Sequence, residues 1–248
     1  MICIKTEKDL EIMRIACEIT RDTLDYLKSQ IKVGITTKEL DKLAYNYIKS
    51  RGAKPSFLGY GGFPASICTS INSVVVHGIP DDTILKEGDL VKLDIGACKD
   101  GYHGDSAWTY KVGEVSKEAE YLMQVTHDAL FAGLAQAKPG NRVGDISAAI
   151  EEFVASHGCT SPYDYTGHGV GTSVHEDPNV PNYGRKGKGP KLKVGMVIAV
   201  EPMVHLGKAD VYVADDDWGV ITQDHSLTAH YEHTIAITED GYLILTAL

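Results

Sequence analysis

Val91-Lys92-Leu93-Asp94-Ile95-Gly96-Ala97 and, shortly after, Tyr102-His103-Gly104-Asp105-Ser106-Ala107-Trp108 read as the two arms of one hairpin. Between them Lys99-Asp100-Gly101 is turn chemistry, with Asp-Gly the usual signal for a two-residue loop. Successive side chains of a strand point to opposite faces. A loop of Asp100 and Gly101 sets Asp105 opposite Gly96, and Asp94, two residues before Gly96, then shares that face. A longer loop would set the two aspartates directly opposite each other, about 5 Å apart at Cβ. Two carboxylates on one face of an otherwise apolar strand pair repel and are costly to bury unless something compensates. A cation is the natural compensation.

The rest of the chain bounds what such a site can belong to. With 248 residues, 43% of them apolar and 23% charged, the sequence can bury a substantial core. A formal net charge of −10 argues against general binding to DNA or to an anionic membrane. The five cysteines (Cys3, Cys17, Cys68, Cys98, Cys159) are odd in number and lack CxxC spacing, so neither a disulfide framework nor a zinc ribbon is indicated. The N-terminus lacks a basic stretch followed by an apolar core, and no run approaches the ~18 apolar residues of a membrane span. A soluble, cytoplasmic protein is the expectation.

Helical spacing of apolar residues predicts helices over about 5–30, from the capping box Thr36-Thr37-Lys38-Glu39 to Gly52, over 116–137, and over 143–157. Strand-like material fills 55–80 and 90–112 and returns after Gly158. Two helices followed by strands therefore occur twice. Lys32-Val33-Gly34 matches Lys138-Pro139-Gly140, and Gly52 matches Gly158 at the same offset. Lys86-Glu87-Gly88 before Asp94 matches Lys193-Val194-Gly195 before Glu201, and His77-Gly78-Ile79-Pro80 resembles His175-Glu176-Asp177-Pro178. The pattern predicts one catalytic unit over 1–248 made of related halves, about 1–115 and 116–248. Glu201 then stands where Asp94 stands, its partner falls on the returning Tyr231-Glu232-His233, and Asp94, Asp105, Glu201 and Glu232 meet.

Four carboxylates need more than one cation. With one imidazole added, the set suits a pair of divalent ions such as Mn, Fe, Co or Zn better than a thiolate-rich structural zinc. Such a pair can ionise a bridging water near neutral pH. His168, within Gly167-His168-Gly169-Val170-Gly171, can point into a site because glycines let the backbone approach closely. His77 and His175 occupy repeat-related positions and suit donors to a substrate carbonyl or oxyanion. Rival motifs fail: there is no GxSxG elbow, Pro178 breaks any HExxH helix, and neither GxGxxG nor a Walker A sequence is present.

Together the segments 76–82, Leu93-Asp94-Ile95-Gly96, Gly104-Asp105-Ser106, Gly167–Gly171, Val174-His175-Glu176-Asp177-Pro178, Val200-Glu201-Pro202-Met203 and Tyr231-Glu232-His233-Thr234 resemble those of the type I methionine aminopeptidases, along nearly the whole chain. The resemblance implies an α+β pita-bread fold: two pseudo-twofold-related halves and a curved antiparallel sheet flanked by helices. It implies removal of the initiator methionine from nascent proteins when the second residue is small, with two divalent ions (Co, Mn, Fe or Zn). Asp94 would bind one metal, Asp105 and Glu232 would bridge both, and His168 and Glu201 would complete the other. Glu201 would also move the proton of the attacking hydroxide, and His77 and His175 would stabilise the tetrahedral intermediate. The methionine pocket would draw on Tyr60, Phe63, Cys68 and Trp218, with His77 at its edge. Val174 replaces an aromatic residue of some relatives, which bears on one pocket wall. Too few residues separate Glu201 from Glu232 for the type II insertion, and a first helix beginning almost at Met1 leaves no room before it for the extra domain of proline-specific relatives. A short, bacterial-type enzyme is expected. The alternatives are an Xaa-Pro aminopeptidase and a non-catalytic binding protein on the same fold.

One feature lies outside that set. Arg185, Lys186, Lys188, Lys191 and Lys193 crowd a glycine-rich stretch of an acidic protein. The ordinary reading is a solvated, mobile loop; the sharper one is contact with ribosomal RNA near the nascent chain.

Overall fold

Thr6 and Thr36 each open a helix with a capping box, in which the hydroxyl and a carboxylate three residues on satisfy two free amides of the first turn. In the computed structural model, which describes residues 1–247, these caps begin α1 (Glu7–Lys28) and α2 (Thr37–Ser50). The first helix starts two residues later than its apolar spacing predicts, because Thr6 is its cap; Lys5 is released to pair with Glu176 at 2.5 Å. Strands β1 (Lys54–Pro55), β2 (Ile67–Ile71), β3 (Val74–Val76), β4 (Leu90–Lys99) and β5 (Tyr102–Lys111) follow. Helices α3 (Lys117–Leu134) and α4 (Val143–Ser156) come next. Then come β6 (Thr166–Gly169), β7 (Glu176–Pro181), β8 (Val197–Val200), β9 (Met203–His205), β10 (Val211–Val213), β11 (Val220–Thr222), β12 (Thr228–His230), β13 (His233–Thr238) and β14 (Gly241–Ile244). The architecture is α+β, with antiparallel pairing throughout.

In the first sheet β4 is central, with β5 along one edge and β2 and β1 along the other. The second runs β14-β13-β8-β6-β7. Alternation along β4 divides its work: Val91, Leu93 and Ile95 pack against Leu24 and Leu27 of α1 and Leu40 and Ile48 of α2, while Lys92 and Asp94 take the opposite face. The corresponding layer of the second sheet, with Ile198, Val200, Ile235 and Ile237, packs against Leu122 and Leu130 of α3 and Ile146 and Ile150 of α4. The halves are interleaved, because Met13 and Cys17 of α1 also cover Val197, Ala199 and Ala236 of the second sheet.

The seam between the sheets is sealed by hydroxyls. Ser106 Oγ donates to Glu232 O at 2.6 Å, Thr109 Oγ1 to His230 O at 2.8 Å, and Thr234 Oγ1 to Asp105 O at 2.7 Å. Lys92, fully buried, donates to Asn72 O at 2.7 Å and, across the same divide, to the Thr228 hydroxyl at 2.8 Å.

The basic stretch 184–193 forms a loop whose charged side chains are exposed, but it is fastened rather than loose. Gly184 N and Gly187 N donate to the carboxylates of Glu151 and Asp145 on α4, and Lys186 pairs with Glu152 at 3.0 Å. All five cysteines are free thiols. Among the described residues no helix is long and apolar enough to cross a membrane.

Candidate metal centre

The hairpin forms with the two-residue loop read from the sequence: Asp100 and Gly101 take φ of 50° and 84°, and Asp105 pairs with Gly96. Asp94 pairs with Ala107, one step along, so both aspartates project from one face of the sheet. Glu201 follows β8 directly, and Glu232 precedes β13, whose His233 pairs with Val200. One further step of that register sets Glu201 opposite Glu232. This pair differs from the first: the two strands are joined through β9 to β12 rather than by a tight turn, and the carboxylates oppose each other where Asp94 and Asp105 are staggered.

The seam bonds bring the two pairs together. His168, at a break in the β6–β7 register, points between them: its Nε2 lies 3.7 Å from Asp105 Oδ2 and 3.5 Å from Glu201 Oε1. Its Nδ1 is 2.9 Å from Gly169 O, and a carbonyl only accepts, so Nδ1 carries the proton and the Nε2 lone pair faces the carboxylates. Asp105 and Glu232 are buried, while Asp94 and Glu201 keep an edge open to the cavity above.

Electrostatically the site is unfinished. Burial pushes Asp94 up to about 7 and Glu201 to about 8. It lifts Asp105 well above the ordinary carboxylate value, as do Asp94 and Glu201 beside it, and Glu232 likewise, where Asp105 is the strongest of the repelling charges. Asp94 Oδ1, Asp105 Oδ1 and Glu232 Oε1 are buried without a hydrogen-bond partner. Buried oxygens normally find one, and divalent cations would satisfy all three at once.

Above this floor lies a cavity of about 310 Å³. Tyr60, Phe63, Cys68, His77, His175 and Trp218 all line it, as the sequence reading expected. Phe57, Val76, Tyr165 and Met203 line it too; Val76 and Met203 stand at the ends of two motif segments, and Phe57 and Tyr165 in no motif. Trp218 meets Phe63 edge-on at 5.0 Å, and the His175 ring lies 4.1 Å from His168 and 5.1 Å from Tyr60. Val174 is buried behind the pocket wall, packed with Phe57, Phe63 and Cys68. Burial raises the Cys68 thiol well above its ordinary value, which makes it wall and not nucleophile. Burial also keeps His77 and His175 neutral, lowering His77 to about 4. His77 holds a φ of 60°, a left-handed backbone that a bulky residue rarely adopts and that clusters at functional sites.

The sequence reading missed His230. It is fully buried, with Nε2 3.3 Å from Glu201 Oε2. A signal was present: His230 stands two residues before Glu232, a spacing that puts side chains on one side of extended chain.

The profile of metallopeptidase family M24 matches residues 11–239. The chain is 52% identical to methionine aminopeptidase 1 of Bacillus subtilis and 53% identical to a methionine aminopeptidase of Clostridium acetobutylicum, each aligned over 99% of both chains. It superposes on the crystal structure of methionine aminopeptidase from Rickettsia prowazekii with a TM-score of 0.98, at 46% identity and full coverage of both. Prolidase from Pyrococcus furiosus is more distant, with a TM-score of 0.80, 27% identity and only 65% of its chain covered. This chain belongs to metallopeptidase family M24, on its methionine aminopeptidase branch.

Proposed function

We propose that the chain is a metal-dependent aminopeptidase that removes the initiator methionine from nascent proteins and peptides whose second residue is small. The observation that carries the reading is the convergence of Asp94, Asp105, His168, Glu201 and Glu232 on the floor of a pocket with apolar and aromatic walls. Two divalent ions drawn from Mn, Fe, Co and Zn suit this donor set. Asp94 would serve one, His168 and Glu201 would serve the other, and Asp105 and Glu232 would contribute to holding both. When bound, such a pair brings the pKa of a shared water near neutrality and polarises the scissile carbonyl.

The chain's own groups do the rest. Glu201, held ionised by the cations beside it, takes the proton of the attacking water and returns it to the leaving amine. Neutral His77 and His175 donate to the carbonyl oxygen as it gains charge. Tyr60, Phe63, Cys68 and Trp218 enclose a thioether side chain that makes favourable contacts with aromatic edges. A cytoplasmic location suits an enzyme acting on new chains.

The test is cleavage of Met-Ala-Ser and Met-Leu-Ser by protein stripped with chelator and then re-metallated. Metal-dependent release of methionine from the first alone is expected. Release from an Xaa-Pro peptide instead would assign the chain to the proline-specific branch, and no release with any of the four metals would leave a binding protein.

Arg185, Lys186, Lys188, Lys191 and Lys193 are exposed, and among the described residues only Lys186 of the five has a carboxylate partner, Glu152. Their proposed partner is ribosomal RNA, whose phosphates attract a fixed basic patch. Replacing all five by Gln should weaken co-sedimentation with ribosomes and flatten its salt dependence while tripeptide cleavage persists; unchanged co-sedimentation removes the partner.

A further inference from the structure

His230 closes β12 and is held rigidly, its N–H donating to Thr109 Oγ1 at 2.9 Å and its carbonyl accepting from the same hydroxyl at 2.8 Å. The ring is 1% exposed. Its Nε2 lies 3.3 Å from Glu201 Oε2, but out of line for a hydrogen bond, and the nitrogen has no partner. Burying an imidazole nitrogen this way incurs a desolvation cost that no bond returns. An apolar side chain at the same position would incur none.

The surroundings account for it. Nε2 of His230 and one carboxylate oxygen each of Glu201 and Glu232 lie within 4.8 Å of one another. Ligand atoms roughly 2.0–2.2 Å from a common ion have such separations. Asp105, His168 and Glu232 form a second group meeting the same condition, and Glu232 is common to both. Glu201 therefore stands between two imidazoles, Oε1 toward His168 and Oε2 toward His230.

We propose that His230 is a metal ligand through Nε2, so that the centre has an imidazole on each side of Glu201 and not on one side only. The proposal rests on the metal-centre reading above and deepens it. A second neutral nitrogen in a carboxylate set shifts preference further from Mg and Ca toward Mn, Fe, Co and Zn.

Cadmium-113 is the probe. The metal-free chain, labelled with 15N-histidine, is titrated with 113Cd(II), and each imidazole nitrogen bound to the ion is split by one-bond coupling. Two split histidine resonances are expected. His230→Gln should remove one, keep the other, and weaken cadmium binding at least roughly tenfold by calorimetry, since even groups that only support a ligand contribute that much. A single split resonance that persists in His230→Gln overturns the proposal. Thermal melts of the metal-free variant check its fold, and the spectrum of the unaltered chain decides the matter should the variant not fold. Release of methionine from Met-Ala-Ser by a protein with one split resonance would sink His230 ligation and spare the aminopeptidase reading. Two split resonances without release would do the reverse.

Discussion

At the scale of single residues, burial sets the chemistry. A carboxyl whose folded pKa is raised stabilises the protein fully below its unfolded value, 3.8 for Asp94 and 4.5 for Glu201. That contribution is lost as pH climbs through the folded values of about 7 and about 8. The buried histidines act oppositely. His77 and His230, lowered to about 4, and His168, lowered to about 3, add stability as pH rises toward their unfolded value of 6.5. Above 6.5 only the carboxyls still titrate. The metal-free protein is therefore expected to lose thermal stability between pH 6.5 and 8, with the loss smaller in Asp94→Asn and abolished by divalent ions, which bind the native state. Melting curves across that window check it, and a flat profile would mean that the carboxyls are not buried together. His77 offers a second test. Gly adopts a φ of 60° freely, so His77→Gly should fold normally, lower kcat by roughly 10²–10³-fold through loss of an oxyanion donor, and change KM less.

At the scale of elements, local rules place the helices and tertiary contact places the site. The capping box at Thr36 is far from the pocket, and Thr36→Ala should cost about 1 kcal/mol of stability without altering turnover. Gly104→Ala should do more damage. A Cβ there would sit 2.6 Å from the Cys17 backbone, so α1 would have to lift from β5 beside Asp105. A larger fall in Tm than for Thr36→Ala, together with lost activity, is expected. Equal falls in Tm with activity intact would show that α1 does not hold the hairpin in place. The hairpin was legible down to a choice of two loop lengths: Asp100-Gly101 signals the two-residue loop that forms, and period-2 alternation then assigns every side chain a face.

At the scale of the molecule, the two halves act through their seam. We infer that they unfold as one cooperative unit, since α1 covers parts of both sheets and Thr234 is hydrogen-bonded to both the N–H and the carbonyl of Asp105. Denaturant melts followed by Trp fluorescence and by circular dichroism should coincide; two separated transitions would assign the halves to independent domains. Thr234→Val orphans a buried amide at a ligand position, and a loss of about 1–3 kcal/mol is expected together with weaker metal binding. Weaker metal binding separates this effect from ordinary core damage.

The sequence by itself determined the α+β class, the four helices, the hairpin register and the candidate carboxylates and histidines at the pocket, because caps, turn residues and strand alternation are short-range and act within a few residues. Only the tertiary structure decided what stands across the seam. It placed His230 against Glu201 and set Tyr165 edge-on to His77. It brought Met203, Phe57 and Val76 into the pocket wall and fastened the basic loop to α4. Alternation tells a side chain which face it takes, but which segments then meet that face depends on contacts between residues more than a hundred positions apart, which the packing of whole sheets and helices settles and no local pattern encodes.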